Sequence, residues 1–135
     1  MRRGLTIDLT RLKEVEVDPD RKTAKAGGGV TFADYDAATH KSGLASTGPI
    51  ISMVGVGGYT LGGGLGWLHC KLGLGCDNLI SAQVVTADGK IVEAYKKNHA
   101  DLFWALRGGG GNFRIVSNFE FRLAPVPDPT LTAPG

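Results

Sequence analysis

The sequence predicts an α+β fold, a mainly antiparallel sheet flanked by short helices, and three observations carry that prediction. Apolar and polar residues alternate with a period of two in several short runs. Two β-rich runs are joined through Asp88-Gly89, a strong hairpin signal. The stretches that read as helices are brief, opened by Thr or Asn and closed by glycine.

Taken in order, Leu5, Ile7 and Leu9 alternate with Thr6, Asp8 and Thr10, and Glu14 to Val17 alternates again, so two short strands are expected. Asp18-Pro19-Asp20 marks a turn, and residues 23–26 form a third strand that runs into Gly27-Gly28-Gly29. Thr31 with Asp34 three residues on has the form of a capping box, Val30 and Tyr35 fit a hydrophobic staple, and Gly43 supplies the stop of a helix over about residues 32–42. Residues 79–86 and 91–95 make the hairpin, whose Asp-Gly turn favours positive φ. Asn98 with Asp101 opens a second helix, Leu102 and Leu106 face its buried side, and Gly108 closes it. In the last strand Phe119, Phe121 and Leu123 point inward while Asn118, Glu120 and Arg122 point outward. Pro125, Pro127, Pro129 and Pro134 then end regular structure, leaving residues 127–135 as a Pro-rich tail or shortened linker.

Composition narrows the function classes. The formal charge is +2, with Lys and Arg scattered among Asp and Glu, so the basic stripe of a nucleic-acid binder is absent. No apolar run is long enough for a membrane span, and Met1-Arg2-Arg3 is not followed by the apolar core of a signal peptide. Two cysteines, Cys70 and Cys76, do not make a disulfide scaffold, which slightly favours the cytoplasm. His69 with those cysteines does not make a structural zinc site, which needs four ligands at suitable spacing. Oligomeric state is not readable from the chain. The anomaly is glycine: 21 of 135 residues, about twice the usual share of roughly 7%, so the backbone must do something unusual.

From Gly55 to Gly66 seven of twelve residues are glycine, in the run Gly55-Val56-Gly57-Gly58-Tyr59-Thr60-Leu61-Gly62-Gly63-Gly64-Leu65-Gly66. Successive amides without Cβ atoms can approach an anion within hydrogen-bond distance. Leu65, Leu68 and Leu72 are spaced for one helical face, so the glycines are expected to feed a helix there. A close helix-to-sheet packing turn is the competing explanation. No Gly-Lys-Ser/Thr follows any glycine cluster, which excludes a Walker loop. G-x-G-x-x-G fails at Gly55, Gly62 and Gly108, where Thr60, Trp67 and Phe113 hold the last position.

The glycine run and Trp67-Leu68, then residues 71–79, then Val84-Val85-Thr86-Ala87-Asp88-Gly89, then residues 101–113, closely resemble in order the berberine bridge enzyme-like branch of the vanillyl-alcohol oxidase / p-cresol methylhydroxylase flavoproteins. The resemblance covers about residues 4–126 and implies part of a PCMH-type FAD-binding domain over residues 1–126. It implies that FAD is the cofactor, with its pyrophosphate held by backbone amides in the first block. The implied cofactor-binding residues are Val54, Gly55, Gly57, Gly58, Tyr59, Gly62, Gly63, Gly66, Asp77, Asn78, Phe113, Ile115 and Val116, with Trp67 at the border. Ordinary packing is an equal reading for the two aromatics.

The chain also departs from the family. Arg114 stands where relatives have glycine after Asn-Phe, and Ile51-Ser52 occupies the neighbourhood of a cysteine that many relatives use as a covalent anchor. His40, His69 and His99 do not match the family's flavin-linked histidine, which lies upstream of the matched region. The family's catalytic base belongs to a later substrate domain, so no catalytic residue is assigned; Asp34, Asp36, Asp77 and Asp101 read as helix-start and surface carboxylates. A small-molecule substrate is then expected only with segments beyond those matched. Two hypotheses follow: part of a flavin-dependent oxidoreductase that transfers hydride from an alcohol, amine or sugar carbon to FAD and then to oxygen, or a free-standing flavin- or nucleotide-binding or interaction module without activity.

Overall fold

A computed structural model describes residues 3–126, so the expectations for Pro127, Pro129 and Pro134 lie outside the described residues. The main sheet has five strands in the order β1-β2-β6-β4-β5, every neighbouring pair antiparallel. These are β1 (Val15–Asp18), β2 (Thr23–Gly27), β4 (Leu79–Val85), β5 (Ile91–Tyr95) and β6 (Ile115–Arg122). A two-stranded ribbon pairs β3 (Leu44–Ala45) with β7 (Ala124–Pro125). The helices are α1 (Phe32–His40), α2 (Val56–Leu61), α3 (His69–Leu72) and α4 (Ala100–Leu106). None is long and apolar enough to cross a membrane.

Strand alternation divides the sheet into two faces. Ala24, Ala26, Ala82, Val84, Ala94, Phe119 and Phe121 point to the buried face, where they meet Phe32 and Tyr35 of α1, Val56 of α2, and Phe103 and Leu106 of α4. Glu16, Lys25, Gln83 and Glu93 are exposed on the other face, and Ser81 donates to Glu120 there at 2.8 Å. An aromatic chain runs from the sheet toward the glycine block: Phe119–Phe121, Phe121–Tyr35, Tyr35–Phe32 and Phe32–Tyr59, with centroids 5.0 to 6.0 Å apart. Each such pair adds about 0.5–1.5 kcal/mol beyond the area it buries. The buried Tyr35 hydroxyl is paired with Ser46 Oγ at 3.0 Å.

Five local expectations are corrected. Residues 5–9 form no strand, and Leu5 is 87% exposed. Leu9 and the residues after it instead cross the Gly27–Gly29 turn, where the amides of Gly27 and Gly29 donate to the carbonyls of Glu14 and Leu12. A Cβ on Gly29 would lie 2.0 Å from the Leu9 carbonyl oxygen, so glycine there permits the crossing. Thr31 caps α1 without a capping box, because its hydroxyl donates to the Asp34 carboxylate at 3.3 Å and the two groups that would form the box pair with each other; the amides of Phe32 and Ala33 donate to the carbonyls of Val54 and Ser52. The helix also stops at His40, two residues early, before Gly43 at φ +66°. At the second helix the cap is His99, at φ +49°, rather than Asn98, whose side-chain amide is engaged with the Glu93 carbonyl. In the hairpin turn only Gly89 takes positive φ, and the Thr86 and Gly89 amides close the turn on Lys90 and Thr86 carbonyls.

Candidate cofactor site

The glycine block does not feed a later helix; it contains one. Gly55 caps α2, and Leu65, which is 68% exposed, lies outside α3, so Leu65, Leu68 and Leu72 do not share a helical face. The expected spacing is broken because Gly63 and Gly64 turn the chain at φ +102° and +82° directly after α2. α2 is anchored at its start: Val56 donates to the Val30 carbonyl and Gly55 bridges to Thr31. Its first i−4 bond runs from Tyr59 to Gly55, which leaves the Gly57 and Gly58 amides without an intrahelical acceptor. Six residues carry little macrodipole; what the turn offers is bare backbone and free donors.

The glycines separate by what a side chain would meet. At Gly64 and Gly75 a Cβ would run into the Tyr59 ring at 2.5 and 2.6 Å, and at Gly66 it would lie 1.7 Å from the Gly48 carbonyl oxygen. These three are needed for internal packing. Gly57 faces inward at ordinary contact distance from Phe119 and Gly28, and Gly62 meets Gly58 at 3.3 Å. Gly63 is required by its positive φ, with open space around it. Gly55 and Gly58 have neither reason: open space surrounds both and neither has positive φ. Glycine within a helix costs about 0.5–1 kcal/mol relative to alanine, so Gly58 is a glycine that no contact among the described residues calls for.

Two further turns flank α2: the 3-10 turns Gly75–Asn78 and Gly110–Asn112. The first is stitched to the glycine block, since Gly75 and Cys76 donate to the Gly64 and Gly63 carbonyls at 2.8 and 2.9 Å. Asn78 is buried, and its side-chain amide donates to the carbonyls of Leu74 and Leu72 and to Thr47 Oγ1 at 2.8, 3.2 and 3.5 Å. Thr47 in turn donates to Gly73. Asp77 accepts the Leu74 amide at 2.9 Å and pairs with Arg107 at 3.1 Å. Burial, with the charge of Asp77 second, raises the Cys76 thiol above its ordinary pKa, and Arg107 opposes the shift.

The remaining residues fall as follows. Val54 is half-buried and its carbonyl starts α1. The Tyr59 ring lies beneath Gly64 and Gly75, edge-on to Phe32, and its buried hydroxyl has no partner among the described residues. Burial and the charge of Asp36 raise its pKa. Trp67 is 78% exposed. Phe113 is exposed, Ile115 half-buried, and Val116 buried opposite Val84 in the sheet. The Arg114 side chain folds back on the Phe113 carbonyl. Asp34, Asp77 and Asp101 are engaged with Thr31, with Arg107 and Leu74, and with the Leu102 amide. Sequence reasoning missed Arg107, Thr47 and Gly48, whose partners lie 18 to 31 residues away in the chain.

Comparison with known proteins places the chain in a family. Residues 1–95 match the family described as FAD binding domain. The FAD-linked oxidoreductase pgmH of Aspergillus terreus is 43% identical over 120 residues, 89% of this chain and 24% of that protein. Among solved structures, 6-hydroxy-D-nicotine oxidase from Arthrobacter nicotinovorans superimposes with a TM-score of 0.89 at 36% identity, covering 92% of this chain and 27% of that one. Glucooligosaccharide oxidase from Acremonium strictum, which carries 6-S-cysteinyl, 8α-N1-histidyl FAD, does so with a TM-score of 0.83 at 42% identity, covering 88% and 25%. The chain thus spans about a quarter of the length of the relatives it matches. It belongs to the FAD binding domain family, the PCMH-type cofactor-binding part of FAD-linked oxidoreductases.

Proposed function

We propose that this chain holds the diphosphate region of FAD, with the open backbone at Gly55 and Gly58, the free amides of Gly57 and Gly58, and the left-handed Gly63 forming the cradle. The observation that carries the reading is Gly58, a helical glycine that nothing among the described residues requires. Gly62 and Gly66 shape the turn, and Asp77 and Asn78 hold the loop beside it. Tyr59 supports the cradle from beneath, while Val54, Phe113, Ile115 and Val116 border it. The donor set fits a diphosphate, since it is made of neutral backbone amides and carries no carboxylate.

When bound, FAD supplies two-electron hydride chemistry, and this chain's part is placement. The whole protein then works as an FAD-dependent oxidoreductase on a small organic substrate, with the substrate-binding residues and the base contributed outside residues 3–126. Titration of the purified chain tests the cradle. FAD and ADP are expected to bind competitively, whereas riboflavin, which lacks any phosphate, binds far more weakly. Equal binding of riboflavin and FAD would place recognition on the isoalloxazine ring and contradict the reading.

A further inference from the structure

Arg107 follows α4 and directly precedes Gly108, which has φ +114° and leads into the Gly110–Asn112 turn on one flank of α2. Its guanidinium lies over the Phe103 ring, 5.7 Å from the centroid, and its fork reaches the Gly75–Asn78 turn. Nε donates to the Cys76 carbonyl and Nη2 to Asp77 Oδ1, both at 3.1 Å. Cys76 donates onward to the Gly63 carbonyl, and Gly75 to Gly64. One side chain therefore ties the Gly75–Asn78 turn to the segment that begins at Gly108, and each is entered through a left-handed glycine, Gly73 at φ +80° and Gly108 at φ +114°.

The energetics separate this role from ordinary stabilisation. Arg107 is 30% exposed and Asp77 46%, and an ion pair with that exposure contributes little to global stability. A ligand gripped between the segments gains from having them already in place, because ordering loops on binding costs affinity.

We propose that Arg107 is a positioning residue for the cofactor site, holding the Gly75–Asn78 turn, and through it Gly63 and Gly64, in register with the Gly108–Asn112 segment. The proposal rests on the FAD reading. It needs the planar fork; a lysine ammonium cannot hold the Cys76 carbonyl and the Asp77 carboxylate in the same geometry.

The test uses the full chain with Arg107→Ala, Arg107→Lys and Asp77→Asn, the last reading the same latch from its other side should the arginine variants fold poorly. Amide hydrogen exchange without cofactor is measured first, then FAD affinity by flavin fluorescence. Exchange at Gly75 and Cys76 is expected to speed up in Arg107→Ala while the β4–β5 hairpin stays protected. FAD affinity falls about tenfold in Arg107→Ala and is only partly restored in Arg107→Lys. Asp77→Asn adds no further loss in the Arg107→Ala background. Unchanged exchange at Gly75 and Cys76 overturns the latch. Faster exchange with unchanged FAD affinity overturns the positioning role and leaves a purely structural contact. A wild-type chain that does not bind FAD overturns the cofactor reading and this role with it, and the exchange data then report the latch alone.

Discussion

The position a Cβ would take on Gly66 lies 1.7 Å from the carbonyl oxygen of Gly48, so two backbone segments touch where no side chain fits. Backbone cannot swing aside as a side-chain tip can. Gly66→Ala is therefore expected to cost at least about 3 kcal/mol, the upper end of ordinary overpacking, read as a fall in the urea midpoint. An unchanged midpoint would mean the two segments are not in contact.

Asn78 ties three acceptors in a buried loop beside α2. Asp in its place presents a carboxylate to the Leu72 and Leu74 carbonyls and removes the donor. Asn78→Asp is expected to lose about 3–5 kcal/mol at neutral pH, measured by denaturant unfolding. A variant as stable as wild type would contradict the network.

Tyr59 has a buried hydroxyl with no partner among the described residues, while its ring fills the space beneath Gly64 and Gly75. Tyr59→Phe keeps the ring and removes the unsatisfied group, so stability is expected to rise by about 1 kcal/mol. A loss of similar size would reveal a hydrogen bond to that hydroxyl.

Asp36 is exposed as a residue, yet one carboxylate oxygen lies 3.9 Å from the Cβ position of Gly48, and burial raises its pKa above 3.8. The folded chain thus binds this proton more tightly than the unfolded chain. Its contribution to stability is fully present below 3.8 and is lost as pH rises through the folded pKa. Asp36→Asn should accordingly raise the thermal midpoint at pH 7, with the gain shrinking as pH falls through the raised folded pKa and gone once pH is below 3.8. A gain that grows toward acid would reverse the sign and refute the assignment.

What the sequence made legible was local. The hairpin of β4 and β5 and the inward set Phe119, Phe121 and Leu123 follow from alternation and turn chemistry, which neighbouring residues determine. The caps did not follow, because Thr31 pairs with the Asp34 side chain and the first two amides of α1 are met by Val54 and Ser52, brought close only by the fold. The glycine block stood out in the sequence as a candidate site, but its residues looked alike. Gly57 reads as cradle in sequence and faces Phe119 in space; its Cβ position is internal and its φ is not positive, so a bulky substitution there tests packing rather than ligand approach. Which glycines clash with Gly48 or Tyr59 and which face open space depends on segments far apart in the chain. The same holds for Arg107, thirty residues from Asp77.

Gly58→Ala tests the central claim most directly, because the fold and the cradle give it opposite signs. The Cβ meets nothing among the described residues and alanine favours the helix, so the urea midpoint should rise, by up to about 1 kcal/mol in stability. The same Cβ would stand where the diphosphate approaches, so FAD affinity should fall by more than about tenfold, or about 1.4 kcal/mol. A variant that is more stable and still binds FAD within about twofold of wild type would contradict the account, since it would leave Gly58 without the role that its place in α2 assigns.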